Sequence, residues 1–190
     1  TNGIAQARNA DDLVNLVVEN LLPHMADRAA IVEVNLDAKG QLSDIEFIAN
    51  QTRSGEDRWP ASSEPGSAFP FFEKIIGDLQ IIKNLRDSNL DPVSQGFLAK
   101  YGIQSGVFAP LRSAGKIIGL LIVSAGRPME VSQDELRAIQ VAANSISVAI
   151  ERQRLLGEAQ RRALELQAAA EIARDTASTL SQGVLLNRIV

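Results

Sequence analysis

The sequence predicts an α+β fold in which a central antiparallel sheet of about six strands carries helices on both faces and is followed by a long C-terminal connector helix. Three observations predict it. Residues 102–123 contain two strands that are apolar on both faces, as expected of strands inside a covered sheet. Segments with strand-like alternation are interspersed with segments of helical apolar spacing. No proline follows Pro128, so the chain from Ser132 onward can continue as one helix.

The first part of the chain predicts a helix followed by two paired strands. Asn9 or Asp11 caps the helix, and its apolar stripe covers residues 13–22. Residues 29–34 and 42–49 are then predicted to form two strands joined by an Asp-Ala-Lys-Gly turn.

Residues 51–68 are predicted to form a long loop, which is either a functional lid or a tolerated surface insertion. A short helix over residues 69–76 and a third strand over residues 79–82 are expected to follow. The next helix begins with Asp91 as its N-cap and Pro92 in its first position.

The two apolar strands are expected to form a hairpin. Residues 112–115 provide a short turn in which Gly115 is available for positive φ. Gly119 interrupts the second strand, which predicts that a bulky group approaches the backbone there.

The last predicted helix opens with a capping box formed by Ser132 and Glu135. Apolar residues then recur at helical spacing up to Ile150, as on the docking face of a domain helix. Over residues 156–180 apolar residues recur at alternating intervals of three and four residues, which is the pattern of a narrow, Ala-rich heptad seam. The pattern favours a parallel coiled coil between two copies over a helix that folds back on its own domain. The residues predicted to form this dimer and relay surface are Leu156, Ala163, Leu166, Ala170 and Ala173.

The chain is expected to comprise an N-terminal segment (1–10), one domain (11–155) and a coiled-coil helix (156–180). Its last residues, LLNRIV, resemble LVNLVV near the start, although amphipathic helices share such patterns by chance. If the likeness is a repeat, residues 181–190 begin a second module of the same kind. Because the chain starts with Thr and not Met, we expect a fragment of a longer protein.

Composition excludes several classes of protein. The 190 residues include no cysteine, which rules out disulfides, thiolate metal sites and cysteine nucleophiles. A net charge of −4 and a pI of about 5.1 argue against a nucleic-acid partner. The longest apolar run, residues 117–123, is far short of the ~20 residues that a membrane span needs. We therefore expect a cytoplasmic protein without a membrane span in this region.

The segments GIQSGVFAPL (102–111) and GKIIGLLIV (115–123) resemble the signature of the GAF sensory-domain family. That signature has a Gly-x-x-Ser start, an apolar Pro-Leu end and then Gly-x-x-Ile-Gly-x-Leu-x-Val. The helix start at Ser132 and the segment AANSISVAIE (142–151) also match the family pattern. The resemblance covers residues 11 to about 155.

The resemblance implies a GAF/PAS-like fold with a small-molecule pocket between the sheet and the intervening loops and helices. Family members occur in bacterial signalling proteins such as sensor histidine kinases and cyclases. They commonly dimerise through their first and last helices and signal to a downstream output domain. Phytochrome-like members attach a bilin to a cysteine, which this chain lacks, so no covalent bilin and no other identifiable cofactor is expected. Val131 replaces the Phe of cyclic-nucleotide-binding members, so that ligand is not assigned.

Candidate pocket residues are aromatic, apolar or polar side chains on the segments that the resemblance places around the pocket. Core packing accounts equally well for the aromatic ones, and loop solvation for the polar ones. These residues are Phe47, Ile81, Asn84, Arg86, Phe97, Tyr101, Ser105 and Phe108.

Catalytic and metal-binding residues are not predicted. His24 is the single histidine, and no Gly-x-Ser-x-Gly elbow or phosphate-binding loop is present. Two functions therefore remain. One is a regulatory, non-enzymatic sensor domain that binds a small ligand and relays its state through a dimeric helix. The other is a ligand-free structural module for dimerisation and relay.

Overall fold

The computed structural model describes residues 12, 14, 26–52, 63–71, 75 and 78–172, and it describes residues 173–186 as helical backbone. The chain divides into two compact units, Thr1–Ile150 and Glu151–Val190. Most of the leading helix predicted from Asn9 or Asp11, and His24, lie outside the described residues. Asp12 and Val14 are helical, and Val14 is buried.

Six strands form one antiparallel sheet in the order β3-β2-β1-β6-β5-β4. The two α-helices whose full bounds are described are α1, Pro92–Lys100, and α2, Gln133–Leu186. The strands are β1 Arg28–Leu36, β2 Leu42–Thr52, β3 Ser63–Pro65, β4 Gln80–Ile82, β5 Ser105–Ser113 and β6 Lys116–Ala125.

The predicted α+β fold is confirmed, with α2 packed on one face of the sheet and α1 on the other. On one face, Ile139, Ala143 and Ile146 of α2 are buried against alternate residues of β5 and β6. On the other face, Phe97 and Leu98 of α1 pack on a second apolar cluster. Strands apolar on both sides therefore lie where both faces of the sheet are covered.

The hairpin between β5 and β6 forms as predicted. Ser113 pairs with Lys116, and Ala114 and Gly115 both have positive φ, at 48° and 78°. Positive φ at both central residues is the geometry of a two-residue turn that matches the twist of the strands.

Gly119 lies where neighbouring groups approach closely. A Cβ at this position would overlap the backbone carbonyl oxygen of Val32, which belongs to the adjacent strand β1, and would lie 3.4 Å from Leu111 Cδ1. The expectation of a close approach is confirmed, and its main cause is the inter-strand spacing, which leaves no room for a Cβ.

The predicted loop over residues 51–68 is wrong at both ends, and its residues 53–62 lie outside the described part of the chain. β2 continues to Thr52, and Ser63–Pro65 pairs with β2 as an edge strand before a 3-10 turn at Gly66–Ala68. A three-residue edge strand is too short to show alternation, and its Pro is tolerated because only one side of the strand is paired.

The short helix predicted over residues 69–76 is only partly correct. Phe69 and Phe71 precede the helical Ile75, and the residues between Phe71 and Ile75 lie outside the described part of the chain. Both phenylalanines are buried and contact each other edge to face. Their apolar spacing therefore reflects core packing and not a helical face.

The capping box that begins α2 is confirmed. The Glu135 amide donates to Ser132 Oγ at 3.2 Å, and the Ser132 amide donates to Glu135 Oε2 at 2.7 Å. The helix continues without a break to Leu186, so it includes part of the region 181–190 that was assigned to a further module. Among the described helices, none combines the length and apolar composition needed to cross a bilayer.

Candidate functional site

A groove of about 680 Å³ lies along the edge strand β4. Its floor is apolar and its rim carries amide, hydroxyl and charged side chains, which is the usual make-up of a small-molecule site. The lining residues are Phe71, Gln80, Ile81, Ile82, Lys83, Asn84, Asp87, Ser88, Asn89, Leu90, Pro128, Met129 and Glu130. We call this surface the β4 groove.

One wall of the β4 groove is the turn that follows β4. Asn84 Oδ1 accepts a hydrogen bond from the Arg86 amide at 3.2 Å, and Asn84 Nδ2 donates to Asp87 Oδ2 at 2.6 Å. The Leu85 amide donates to the Gln104 carbonyl at 2.6 Å, which ties the turn to the chain before β5. Asn84 is thus the cap that folds this turn and fixes the orientation of the Asp87 carboxylate.

A second wall is the segment between β6 and α2. The Met129 amide donates to the Lys83 carbonyl at 3.1 Å, and Lys83 Nζ lies 2.7 Å from Glu130 Oε2. Ser105 Oγ donates to the Arg127 carbonyl at 2.6 Å and holds the start of the same segment. Residues 127–130 are therefore attached both to the end of β4 and to the start of β5.

This wall lies immediately before the helix α2. Glu130 is two residues before Ser132, whose side chain caps the helix. A change in the position of Met129 or Glu130 would therefore act directly on the first turn of α2.

Next to the groove, aromatic side chains pack between the sheet and α1. The ring centroids of Phe47 and Tyr101 are 4.9 Å apart, those of Phe97 and Tyr101 are 5.0 Å apart, and Phe69 lies 5.0 Å from Phe97. We call these rings, together with Phe71 and Phe108, the aromatic cluster. Phe71 contacts Phe108 edge to face at 5.4 Å and also lines the β4 groove, so the cluster and the groove share one residue.

Glu64 on β3 connects the edge of the sheet to the end of α1. Its Oε1 accepts hydrogen bonds from Lys100 Nζ and from the Tyr101 hydroxyl, both at 2.6 Å. The hydrogen bond from Lys100, followed by that from Tyr101, holds the pKa of Glu64 below its ordinary value of 4.5, although burial acts in the opposite direction. The same contact raises the pKa of Lys100. The geometry is that of a structural ion pair.

Comparison with known proteins assigns this chain to a family. The model of the GAF domain family matches residues 9–150. The chain belongs to the GAF domain family. The resemblance seen in the hairpin and in the first part of α2 is therefore confirmed, and the match covers more than half of the chain.

Solved structures share the fold of this GAF domain. The GAF domain of Thermosynechococcus elongatus PixJ in its blue-light-absorbing form has 16% sequence identity and a TM-score of 0.65, over 80% of this chain and 89% of that chain. A domain assigned to a two-component sensor histidine kinase of Sinorhizobium meliloti 1021 has 21% identity and a TM-score of 0.54, over 79% and 92%. The phycocyanobilin-bound GAF domain of a cyanobacterial phytochrome has 21% identity and a TM-score of 0.63, over 80% and 88%.

Because these sequence identities are low, the similarity to these structures is a similarity of fold alone. Among curated proteins, the comparison finds no match to this chain. The GAF domain is thus similar to sensory domains of phytochromes and of sensor histidine kinases.

The structure of this GAF domain places the predicted pocket residues in three settings. Ile81 and Asn84 line the β4 groove, and Arg86 lies beside it on the turn. Ser105 is fully buried and holds the wall that contains Met129. The remaining residues belong to the aromatic cluster, and they are Phe47, Phe97, Tyr101 and Phe108.

Sequence reasoning missed the groove residues Lys83, Met129 and Glu130 in this GAF domain. They meet only because the chain after β6 returns to the end of β4, a long-range contact that no local pattern reports. The break at Pro128 was a usable signal, since it marks a non-helical segment between a central strand and the last helix.

The predicted relay residues of this GAF protein lie on α2. Leu156, Ala163, Leu166 and Ala170 are exposed, and the side chain of Ala173 lies outside the described residues. Within the part of the chain that the structure describes, no group of three His, Asp or Glu side chains is arranged to hold a metal ion.

Proposed function

We propose that this GAF domain is the sensory module of a bacterial signal-transduction protein. It binds a small molecule in the β4 groove and passes its state through a dimeric α2 to an output domain in the same chain. One observation carries this proposal. Residues 128–130 line the groove and directly precede the cap of α2, so the groove and the output helix share one segment.

The size and lining of the groove support ligand binding. Small-molecule sites typically enclose roughly 300–1,000 Å³ and combine an apolar surface with a few placed polar groups. The β4 groove has about 680 Å³, with Phe71, Ile82 and Met129 as buried apolar residues and Asn84 on the rim. The ligand is therefore expected to have an apolar body and at least one polar group.

The contacts across the groove explain how occupancy would reach α2. The Lys83–Glu130 ion pair is highly exposed, with 63% and 83% of the side chains accessible, so water and salt weaken it. It and the Met129–Lys83 backbone hydrogen bond connect the two walls. A ligand between the walls changes their separation at a small energetic cost, and Met129 transmits that change to the start of the helix.

Exposed apolar side chains on α2 support the proposed homodimer. Within residues 133–150, Val141 and Val148 are exposed on the helix although its other side is docked on the sheet. In the second unit, Leu156 and Leu166 are also exposed. Large apolar side chains that repeat along a helix and face solvent are stabilised by pairing with a second helix.

The related structures suggest the setting of the module. Since one similar domain is assigned to a sensor histidine kinase, we propose a cytoplasmic parent protein such as a histidine kinase or a cyclase, in which this domain is regulatory and not catalytic. Another similar domain binds phycocyanobilin. This chain has no cysteine for a covalent bilin, so we propose a different, non-covalent ligand.

A ligand-free relay module is the second candidate, and the aromatic cluster favours it. Its rings contact one another at centroid distances of 4.9–6.0 Å between the sheet and α1, where the family places its pocket. In this case the domain would dimerise and transmit strain without a small molecule.

Native mass spectrometry of the chain purified from its own source separates the two candidates. We expect a dimer that retains a small molecule. Ile81→Trp should abolish retention, because the side chain lines the groove and is 39% exposed, so an indole fits without disturbing the core. Val93→Trp is the matched control, since Val93 is 54% exposed on α1 and does not line the groove.

Retention that is equal in both variants would contradict ligand binding in the groove. In the full-length protein, Ile81→Trp should also change output while Val93→Trp does not. A dimer that never carries a ligand, with output unchanged in both variants, would favour the ligand-free relay.

A further inference from the structure

We propose that the β4 groove selects a small organic cation, with Asp87 as the counter-ion for an ammonium group and the apolar floor as the site for its hydrocarbon part. This inference rests on the proposed function, because it names the chemical class of the ligand that the groove binds. It follows from the charges, hydrogen bonds and burial of the lining residues.

The charged residues of the groove leave one carboxylate without a cation. Lys83, Asp87 and Glu130 line the groove, and Lys83 is paired with Glu130 at 2.7 Å. Within the described part of the chain, no Lys or Arg nitrogen lies within 4.0 Å of the Asp87 carboxylate. One lysine against two carboxylates gives the lining a formal charge of −1.

Asp87 is held in place, and it retains capacity to accept hydrogen bonds. Asn84 Nδ2 donates to its Oδ2 at 2.6 Å, and Asp87 is fixed in the 3-10 turn Leu85–Asp87. An ionised carboxylate has about four acceptor positions, so the Asn84 hydrogen bond leaves most of them for a ligand. The neighbouring Arg86 does not line the groove.

The floor suits the apolar part of such a ligand. Phe71, Ile82 and Met129 are each about 5% exposed and border the groove. Phe71 is held by its edge-to-face contact with Phe108. Aromatic rings attract cations electrostatically, and thioethers adapt to irregular apolar shapes.

An anionic ligand is disfavoured by the same arrangement. It would have to displace Glu130 from Lys83. It would then lie in a groove in which neither Glu130 nor Asp87 is paired with a cation, and both carboxylates would repel it. A neutral ligand would gain the apolar contacts alone. The order of affinity expected from the structure is therefore cation, then neutral molecule, then anion.

Three probes with similar carbon skeletons test this order: phenethylamine, 2-phenylethanol and 3-phenylpropanoate. Each is titrated into the ¹⁵N-labelled chain at pH 7 and followed by the amide signals of Ile82, Asn89 and Met129. We expect phenethylamine to bind about fivefold more tightly than the alcohol, since an exposed ion pair contributes a factor of this size. The preference should decrease at high salt.

The variant Asp87→Asn tests the role of the charge at this position. The Asn side chain keeps an oxygen that can accept the hydrogen bond from Asn84, but it carries no charge. We expect it to bind phenethylamine and 2-phenylethanol equally. Glu46→Gln is the matched control, with the same change in charge on an exposed residue of β2 outside the groove. It should keep the fivefold preference.

Several outcomes would overturn the inference. They are equal binding of the three probes, preference for the anion, no perturbation of the groove signals by any probe, or an undiminished preference in Asp87→Asn. None of these alters the comparison of Ile81→Trp with Val93→Trp in the full-length protein, so failure of the cation inference is distinguishable from failure of the sensory function.

Discussion

The carboxylate of Glu64 accepts hydrogen bonds from two groups at the end of α1, Lys100 Nζ and the Tyr101 hydroxyl. Glu64 is 15% exposed and Lys100 is 59% exposed, so water screens part of the attraction. The contact joins the edge strand β3 to α1. It therefore adds to the attachment that the pairing of β3 with β2 provides.

The lowered pKa of Glu64 predicts a pH dependence of stability. Because the pKa in the folded state lies below 4.5, the stabilisation is complete above pH 4.5 and is lost as the pH falls through the folded-state value. Glu64→Gln should reduce the free energy of unfolding by about 1 kcal/mol at neutral pH. Urea denaturation at pH 7 and at pH 3 measures the difference, which should shrink at the lower pH.

Glu46→Gln provides the comparison for this experiment, because Glu46 is an exposed residue on the neighbouring strand β2. Glu46→Gln removes the same charge but keeps the contacts of Glu64, so it should not lower the free energy of unfolding at pH 7 as Glu64→Gln does. The pKa interpretation fails if both variants lose stability in parallel at the two pH values.

The candidate site could be predicted from single residues only in part. Ile81 and Asn84 were identified because they lie on segments that the GAF resemblance places around a pocket, and both line the groove. Met129 and Glu130 could not be identified from the sequence. They reach the groove through a hydrogen bond and an ion pair to Lys83, which lies over 40 residues earlier in the chain. The aromatic residues carry the same apolar signal whether they line a cavity or fill it.

At the scale of elements, Ser147 adds a hydrogen bond to the apolar packing that attaches α2 to the sheet. Its hydroxyl accepts a hydrogen bond from the Arg112 amide at 3.0 Å and donates to the Ala143 carbonyl at 2.8 Å. Arg112 lies at a register shift in the pairing of β5 with β6, where the ladder is irregular. A helix side chain thus accepts from the strand at the point where strand pairing is perturbed.

Ser147→Ala should lower the free energy of unfolding by about 1–2 kcal/mol, because the Arg112 amide loses this acceptor at a part-buried position. Urea denaturation measures the loss, and hydrogen exchange at Arg112 should accelerate. Ser145→Ala is the matched control, since Ser145 Oγ donates only within the helix, to the Val141 carbonyl at 2.9 Å. Equal destabilisation by the two changes would show that the contact with β5 is not the cause.

Elements with strong local signals were predicted well, and of the two three-residue strands β4 was predicted, over residues 79–82, whereas β3 was not. Asp91, Pro92, Ser132 and Glu135 are end signals with a direct hydrogen-bonding cause, and both helices begin where they indicate. β3 has three residues and exists because β2 offers it an open edge. Its position is decided by a neighbouring strand, which local propensity cannot report.

At the scale of the whole molecule, the order of apolar and turn segments was sufficient to predict the sheet and the family. The hairpin determines the centre of the sheet, and its apolar faces require cover on both sides. The groove was not predictable in the same way. It depends on where the segment between β6 and α2 lies against β4, and that is decided by a few long-range contacts.

The association of two chains through the second unit is tested by two leucines on α2. Leu166 belongs to the predicted heptad seam and is 72% exposed, whereas Leu164 is off the seam and is 67% exposed. Burial of a leucine side chain contributes about 1.5–3 kcal/mol, and a symmetric dimer buries two copies. Leu166→Glu should therefore weaken the dimer by at least about 100-fold in Kd.

Sedimentation equilibrium of the chain over a range of concentrations measures this effect, with Leu164→Glu as the control for the added charge. Because residues 164 and 166 are separated by about 200° around a helix, only one of them can face the partner in a two-stranded coiled coil. Leu164→Glu should leave the dissociation constant within about threefold of the unmodified chain. If both variants dissociate equally, general repulsion between charged helices explains the result, and the seam does not form the interface.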